Sequence, residues 1–407
     1  MRIEAAQFDP LLSLNIRERK FLDQHDIQAG IGWETPLRWG GTTNLALSYL
    51  RTNDTLQQTD DGEDIALKWT QPLLKGLGRQ IKQGPLVIAK KQLEISELTF
   101  ASRVMDILLK TVSSYWELIF QTENLLVQQN SLNLAQQLLT VNQTKVRLGL
   151  LAPIEILIAE SSVASREEAV IIAEKGLRDL EDQIGNLIGL WGDSVPFLER
   201  IHPTDRPLSD EMLYDPNDLL ARAFKNRPEI LAANHQIENG ITLIEIAENK
   251  RRPSLDFVGE ISNNLDEWDA GLFLTVPIGN QAAIAVVQKE KAAQQKLQIE
   301  KQKLTAQIEL EVREGGRRVT SDFERIKATS RALTLTKKQL SAGEERFHLG
   351  FLSSHDLLGF QNDVTIAEGH ALRAIIDYNK SLANLYRVTG TLLEKHNVQL
   401  SPYLKKG

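Results

Sequence analysis

The chain has 407 residues, a formal net charge of −7, 25% charged residues and no cysteine. The acidic balance offers no basic face to nucleic acid, and without cysteine a thiolate metal site, a catalytic thiol and a disulfide framework are excluded. Seven histidines are scattered without ligand spacing, and no apolar run approaches the ~20 residues a membrane helix requires.

In chain order, residues 1–26 read as a short polar lead-in, with Met1-Arg-Ile-Glu-Ala-Ala-Gln running into Phe8-Asp-Pro10 and no visible signal peptide. From Ile27 the pattern has period two. Ile27, Ala29, Ile31 and Trp33 alternate with polar or glycine positions, and after Gly40-Gly41 so do Leu45, Leu47 and Tyr49. A polar loop is expected from Arg51 to Glu63, after which Ile65, Leu67 and Trp69 alternate again. Such alternation marks strands with one apolar and one polar face. Gln71-Pro-Leu-Leu-Lys-Gly-Leu-Gly78 ends the block with breakers.

From about Gln80 to Leu148 no proline follows Pro85, and the composition is helical. Sixty-odd residues at 1.5 Å each make a rod of roughly 100 Å. A return helix runs to about Leu187, and residues 191–215 form a Pro/Asp-rich linker. The second half then reads helix (217–251), strands (254–277) and a helical hairpin (282–393). Its strands show Leu255, Phe257 and Ile261, then Trp268, Ala270, Leu272, Leu274 and Val276, in alternation. Its long helix carries Leu297, Leu304, Ile308, Val312, Val319, Phe323, Ile326, Leu333 and Leu340 at spacings of 3, 4 and 7, the narrow stripe of a coiled-coil seam. Gly315-Gly316 is expected to interrupt and bend that rod.

The halves are copies of one another. Val146-Arg-Leu-Gly-Leu-Leu-Ala-Pro-Ile-Glu-Ile-Leu157 returns as Phe347-His-Leu-Gly-Phe-Leu-Ser-Ser-His-Asp-Leu-Leu358. The register holds without a gap from Gly149–Gly189 to Gly350–Gly390, with Ala173 on Ala374 and Ile184 on Leu385, the mark of an internal duplication. The expected organisation is a first repeat over 1–190 (strands about 27–71, hairpin 80–189, turn 148–153). The linker 191–215 follows, then a second repeat over 216–395 (turn 348–354) and a tail over 396–407. The second repeat has a helix before its first strand that Met1–Phe8 is too short to match, so the chain is expected to lack most of a first helix and any export signal before it.

Tryptophans at strand ends, Trp69 and Trp268, suit an aromatic membrane girdle or the corner plug of a soluble two-sheet core. Four strands are clear, with residues 27–37 a further strand-like segment. Bacterial barrels need about eight strands or more, and open edges do not occur in lipid. Strands that cross a membrane here would have to share one barrel among several copies.

Local chemistry points to structure at the turns. Gly149 and Gly350 sit where glycine closes a helix. Ser353-x-x-Asp356 reads as a capping box, and Pro153 with Glu155 opens the other helix. Ser354-His355-Asp356 is no catalytic triad, because adjacent residues at a helix start point apart. His348 and His355 read as solvated, and Gly76-Leu-Gly78 lacks the strand–turn–helix setting of a nucleotide loop. No enzyme activity, cofactor or metal is expected.

The duplicated helix–strand–strand–helix–helix plan resembles the outer-membrane efflux channel family typified by TolC. The resemblance also rests on Asn226-Arg-Pro-Glu-Ile230, Arg252-Pro-Ser-Leu255, Thr70-Gln-Pro-Leu73, Thr275-Val-Pro-Ile278 and the two Leu-Gly turns, and covers about Phe8 to Leu393. Phe8-Asp-Pro10 and Gln71–Gly78 look like one branch of it. The resemblance implies a mainly α fold with a small β part. Three chains with four strands each would close an outer-membrane barrel of about 12 strands, and their helices would form a coiled-coil tunnel across the periplasm. It implies a homotrimer, a periplasmic adaptor and an inner-membrane pump of RND or ABC type. The channel itself would be a passive conduit for efflux or type I secretion, with the pump choosing the cargo.

By the same resemblance Arg147, Leu148, Gly149, Leu150, Leu151, Leu349, Gly350, Phe351 and Leu352 would be periplasmic tip residues that contact the adaptor, unless the leucines only pack across the turn. Asp356, with Glu155 nearby, would constrict the closed tunnel; the acidic position one turn later in the family is Gly359 here. Asp256, Glu260 and Asp269 would face the lumen and give a mild cation preference. Two alternatives stand beside it. A periplasmic adaptor would carry one hairpin flanked by β-rich domains, and a soluble coiled-coil scaffold leaves the matched strands without a purpose.

Overall fold

The computed structural model describes residues 2–21, 24–54, 59–189, 201–262 and 267–400. Two short helical turns, α1 (Arg2–Ala5) and a 3-10 turn (Ala6–Phe8), precede four strands. These are β1 (Leu11–Phe21), β2 (Gln24–Pro36), β3 (Thr42–Asp54) and β4 (Thr59–Pro72). The hairpin α2 (Arg79–Arg147) and α3 (Ile154–Leu187) follows, then α4 (Pro216–Asn226), α5 (Pro228–Arg251), β5 (Ser254–Ser262) and β6 (Glu267–Thr275). The second hairpin, α6 (Gln281–His348) and α7 (Ser354–Val388), leads into a last turn, α8 (Leu392–Lys395). The fold is mainly α with one small antiparallel sheet.

The duplication is visible in the backbone. α2 and α6 have 69 and 68 residues, α3 and α7 have 34 and 35. The aligned pairs Ala173/Ala374 and Ile184/Leu385 are all buried, so equivalent positions face equivalent cores. The compact units, however, cut across the repeats. One comprises Met1–Thr99 with Glu229–Leu304, the other Phe100–Pro228 with Thr305–Gly407. Each half of the sequence contributes to both.

The first unit holds the sheet, in the order β1-β2-β3-β4-β5-β6 with every neighbouring pair antiparallel. Among the described residues it has six strands, where the sequence made four clear and left 27–37 as a further strand-like segment, which falls in β2. The lead-in 1–26 contains β1, whose Leu12, Leu14 and Ile16 continue the alternation of β2. The expected loop Arg51–Glu63 is largely ladder as well, with Thr52 opposite Asp60 and Asn53 opposite Thr59. Residues such as Asn and Asp are poor strand formers by propensity, but a hairpin ladder already begun imposes the extended backbone on them. The glycines after β4 serve the turn into α2. Gly76 and Gly78 have φ of +85° and +108°, and the Gly76 N–H donates to Asn249 Oδ1 at 2.8 Å.

Two further expectations are corrected. The helix expected over 217–251 breaks at Arg227, which is extended (φ −66°, ψ 117°). The residue before a proline is pushed out of the helical region, and Pro228 follows. The break sets the buried Arg227 guanidinium 2.7 Å from Glu311 and lets it donate to the Val388 carbonyl. Gly315-Gly316, expected to interrupt the second long helix, lies inside continuous α6. A Cβ at Gly315 would sit 3.3 Å from Val388 Cγ2, so glycine there allows α7 to pack close.

In the second unit α7 is the most buried element, with Ile376, Tyr378 and Leu385 almost inaccessible. Burying a large side chain of this kind stabilises by roughly 1.5–3 kcal/mol. Charged groups tie α7 to α2. Arg387 reaches Asp106 at 2.7 Å, and Glu117 accepts from Arg373 at 2.7 Å and from Lys380. Partial burial works against the charge on Glu117, but Lys380 and Arg373 outweigh it and hold the carboxyl below the usual carboxylate range. Of the expected linker, residues 190–200 lie outside the described residues. The rest is anchored: the Asn379 side chain accepts from the Leu208 N–H through Oδ1 and donates to the Leu208 carbonyl through Nδ2, and Tyr378 donates to the Asp210 carbonyl at 2.7 Å.

Candidate functional site

Two features stand out chemically, one in each unit. In the second unit both Leu-Gly turns are built the same way. Gly149 and Gly350 have φ of +72° and +83°, a left-handed conformation that glycine adopts without a Cβ penalty. The Gly149 N–H donates to the Val146 carbonyl at 2.9 Å and the Leu150 N–H to Lys145 at 2.8 Å. The equivalent donors, Gly350 and Phe351, reach Phe347 at 3.1 Å and Arg346 at 2.8 Å. These paired bonds are the Schellman closure, and they satisfy carbonyls that the helix end would leave free.

Beyond the glycines the turns diverge. Ser353 caps α7: its Oγ accepts from the Asp356 N–H at 3.1 Å, and its hydroxyl donates to the Asp356 carboxylate at 2.7 Å. Pro153 at the start of α3 has helical torsions and provides no side-chain cap. Asp356 is exposed, whereas Glu155 is half-buried with Oε2 buried and unpartnered. Ser354 and Asp356 are engaged with different partners, so no triad forms among Ser354, His355 and Asp356.

The turns are held together by Asn142 of α2, which is fully buried. Its Nδ2 donates to the Glu155 carbonyl at 3.2 Å and to Ser354 Oγ at 3.0 Å. Leu138, Phe347, Leu357 and Leu358 form a small core beside it, with Leu352 packed against them. Lys145 stands 4.2 Å over the Phe347 ring. Sequence reading missed Asn142, because an asparagine among Gln, Asn and Thr carries no signal until its partner turn is placed.

Of the expected tip residues, Leu151 and Leu352 are half-buried. Leu148, Leu150, Leu349 and Phe351 are between 67% and 73% exposed, so packing across the turn does not account for them. Arg147 is exposed alongside. Ile154 and Leu157 extend the apolar surface at the start of α3. The i, i+3 spacing of this pair beside the turn was the available clue.

In the first unit the register puts the alternating apolar positions on one face, while Leu11, Val258 and Phe273 fall on the other. Leu14 lies opposite Ile31, Ile31 opposite Leu47 and Leu47 opposite Ile65. Further along, Trp69 lies opposite Gly259, and Ile261 opposite Trp268. Trp69 packs edge-on against Phe257, ring centroids 5.6 Å apart, while Trp268 is 79% exposed. Both tryptophans are on this face. The other face carries Ser13, Asn15, Asn44, Ser48, Asp64 and Lys68. Lys68 bonds Glu260 at 3.0 Å, and Glu260 lies opposite Asp269. An exposed apolar face of this extent, backed by a more polar one, marks an interaction surface. Among the described residues no helix is long and apolar enough to cross a membrane, and no group of three or more acidic or histidine side chains could hold a metal.

No family model matches the chain. Nodulation protein T of Rhizobium leguminosarum bv. trifolii is 23% identical over 360 residues, covering 84% of this chain and 74% of that protein. The outer-membrane channel OprN superposes with a TM-score of 0.71 at 14% identity, covering 96% of this chain and 83% of that one. The Campylobacter jejuni CmeC outer membrane channel gives 0.68 at 14%, covering 99% and 83%. The Vibrio cholerae outer membrane protein VceC gives 0.68 at 15%, covering 96% and 89%. With its duplicated helical hairpins and its small antiparallel sheet, the chain has the TolC-like fold of the outer-membrane efflux channels.

Proposed function

We propose that the chain is the outer-membrane channel component of a tripartite efflux or type I secretion system, a passive homotrimeric conduit without an active site. The observation that carries this reading is the sheet. It has a continuous exposed apolar face, a polar reverse and two open edges, a combination that lipid tolerates only when copies close it into a barrel. The fold shared with OprN, CmeC and VceC supports it. Trp69 and Trp268 then serve as girdle residues at the lipid interface, and the polar face with Asp256, Glu260 and Asp269 lines the lumen.

Within this reading the turns are the periplasmic tips. Leu148, Leu150, Leu349 and Phe351, with Arg147, form the adaptor contact, while Leu151 and Leu352 set the turn from behind. Asp356 is the better constriction residue, because its carboxylate is exposed and oriented by Ser353, whereas Glu155 turns one oxygen inward. The pump, of RND or ABC type, supplies energy and selects cargo.

The test combines fractionation with two variants. The chain, expressed behind an export signal, should enter the outer membrane as a trimer. Leu150→Asp and Gly350→Arg should abolish export while leaving the trimers intact. A soluble product would remove the reading, and wild-type export in both variants would remove the tip assignment.

A further inference from the structure

We infer that the cavity between α2, α3 and α7, around Arg166, binds a small oxyanion, a phosphate or a carboxylate group. The site lies within the second unit and does not depend on the channel reading.

The position in the sequence is the first reason. Ala159, Arg166, Ala173 and Leu180 are all buried on α3 and follow one another at every seventh residue, the spacing of a helical seam. Arginine is out of place in such a row, because a buried charge loses its hydration. The register of the duplication, which sets Ala173 on Ala374, sets Arg166 on Ala367. The second repeat fills the equivalent seam position with a methyl group, so packing of a hairpin does not by itself require a cation there.

The surroundings are the second. Arg166 is only 9% exposed, and its Nη1 donates to the Ser131 carbonyl at 2.6 Å. That bond uses a single N–H of a guanidinium fork that carries several. Burial alone acts on the charge and pushes the Arg166 pKa down, with no carboxylate beside it among the described residues. Other arginines of this unit are served differently: Arg227 meets Glu311 and Arg387 meets Asp106, both at 2.7 Å. A buried cation without a counter-charge is destabilising until a negative group reaches it.

The cavity provides the room and further donors. Arg166 lines a space of about 630 Å³, within the ordinary range for small-ligand sites. Ser161, Ser162 and Asn362 line it with hydroxyl and amide groups, and no acidic side chain does. Glu160, Glu167 and Asp363 are close in sequence, but they are exposed and stay outside the lining. A planar guanidinium beside hydroxyl and amide donors matches the oxygens of a phosphate or a carboxylate.

The test titrates inorganic phosphate, and separately acetate, into the full-length protein in detergent and chloride buffer, read by calorimetry. Saturable binding of phosphate or acetate is expected. Arg166→Gln should weaken it by roughly ten- to a hundredfold, the effect of losing a charged hydrogen-bond donor, and Ser162→Ala by roughly two- to tenfold. Arg178→Gln, at an exposed position of the same helix, should leave it unchanged. Thermal melts separate binding from a structural role. Without phosphate, Arg166→Met should melt no lower than the wild type, because it removes a buried charge that lacks a partner. Phosphate should raise the melting temperature of the wild type and leave that of Arg166→Met where it was. Absence of saturable binding of both anions, or binding that survives Arg166→Gln unchanged, would overturn the site. So would an Arg166→Met protein that melts lower by the same margin with and without phosphate. Arg166 would then be a structural tie, to Ser131 or to a carboxylate of a second copy.

Discussion

The two Leu-Gly turns share a backbone and differ in chemistry. Both close with a left-handed glycine and a pair of backbone bonds. Yet one opens its next helix with a serine cap tied to an exposed aspartate, and the other with a proline and a half-buried glutamate. Duplication preserved what the helix ends require and left the side chains free to diverge. Backbone punctuation is therefore the common structural part of the turns, and their side chains are where different roles can be assigned.

The largest expected effect tests whether the turns act as one body. Asn142→Leu removes both hydrogen bonds that Asn142 donates and buries Ser354 Oγ without a partner, costing about 2–3 kcal/mol. Amide exchange should accelerate at both turns together; acceleration at one alone would break the unity claimed for them. Next come Gly149→Ala and Gly350→Ala. A Cβ at either position meets nothing within 4 Å, so only the left-handed strain remains, about 1–2 kcal/mol in each. Equal shifts in denaturation midpoint support the shared closure, and a marked inequality would show that the backbones are not equivalent.

The asymmetry should appear at the caps. Ser353→Ala should cost about 1 kcal/mol, while Pro153→Ala should be close to neutral because no side-chain cap is lost. Helical protection at the first turns of α7 and α3 reads the difference. The smallest effects concern the acids. Glu155→Gln should be neutral or stabilising by a few tenths of a kcal/mol, since it relieves a carboxylate with one buried unpartnered oxygen. Asp356→Asn should lose a few tenths through its weaker interaction with the helix start. Opposite signs in thermal melts would confirm the divergence, and equal signs would refute it.

Much of this was legible in the chain. The turns could be placed from Leu-Gly and the register of the duplication, and the apolar face of the sheet from the alternation at Ile27–Trp33, Leu45–Tyr49 and Ile65–Trp69. β1 is not legible in the sequence, although Leu12, Leu14 and Ile16 alternate, because a few residues of alternation carry little weight until a neighbour pairs with them. The exposure of Leu148, Leu150, Leu349 and Phe351 was not legible either, since an apolar residue at a turn reads equally as packing or as surface.

The sequence by itself determined helix ends, strand faces and the duplication, because these depend on glycine torsions, on the periods of helix and strand, and on residues a few positions apart. Only the tertiary structure decided that six strands join one sheet among the described residues, that Arg227 at its helix break meets Glu311, and that Asn142 joins the two turns. Each of those depends on a partner distant in the chain, and the free energy that selects it exists only once the partner has arrived.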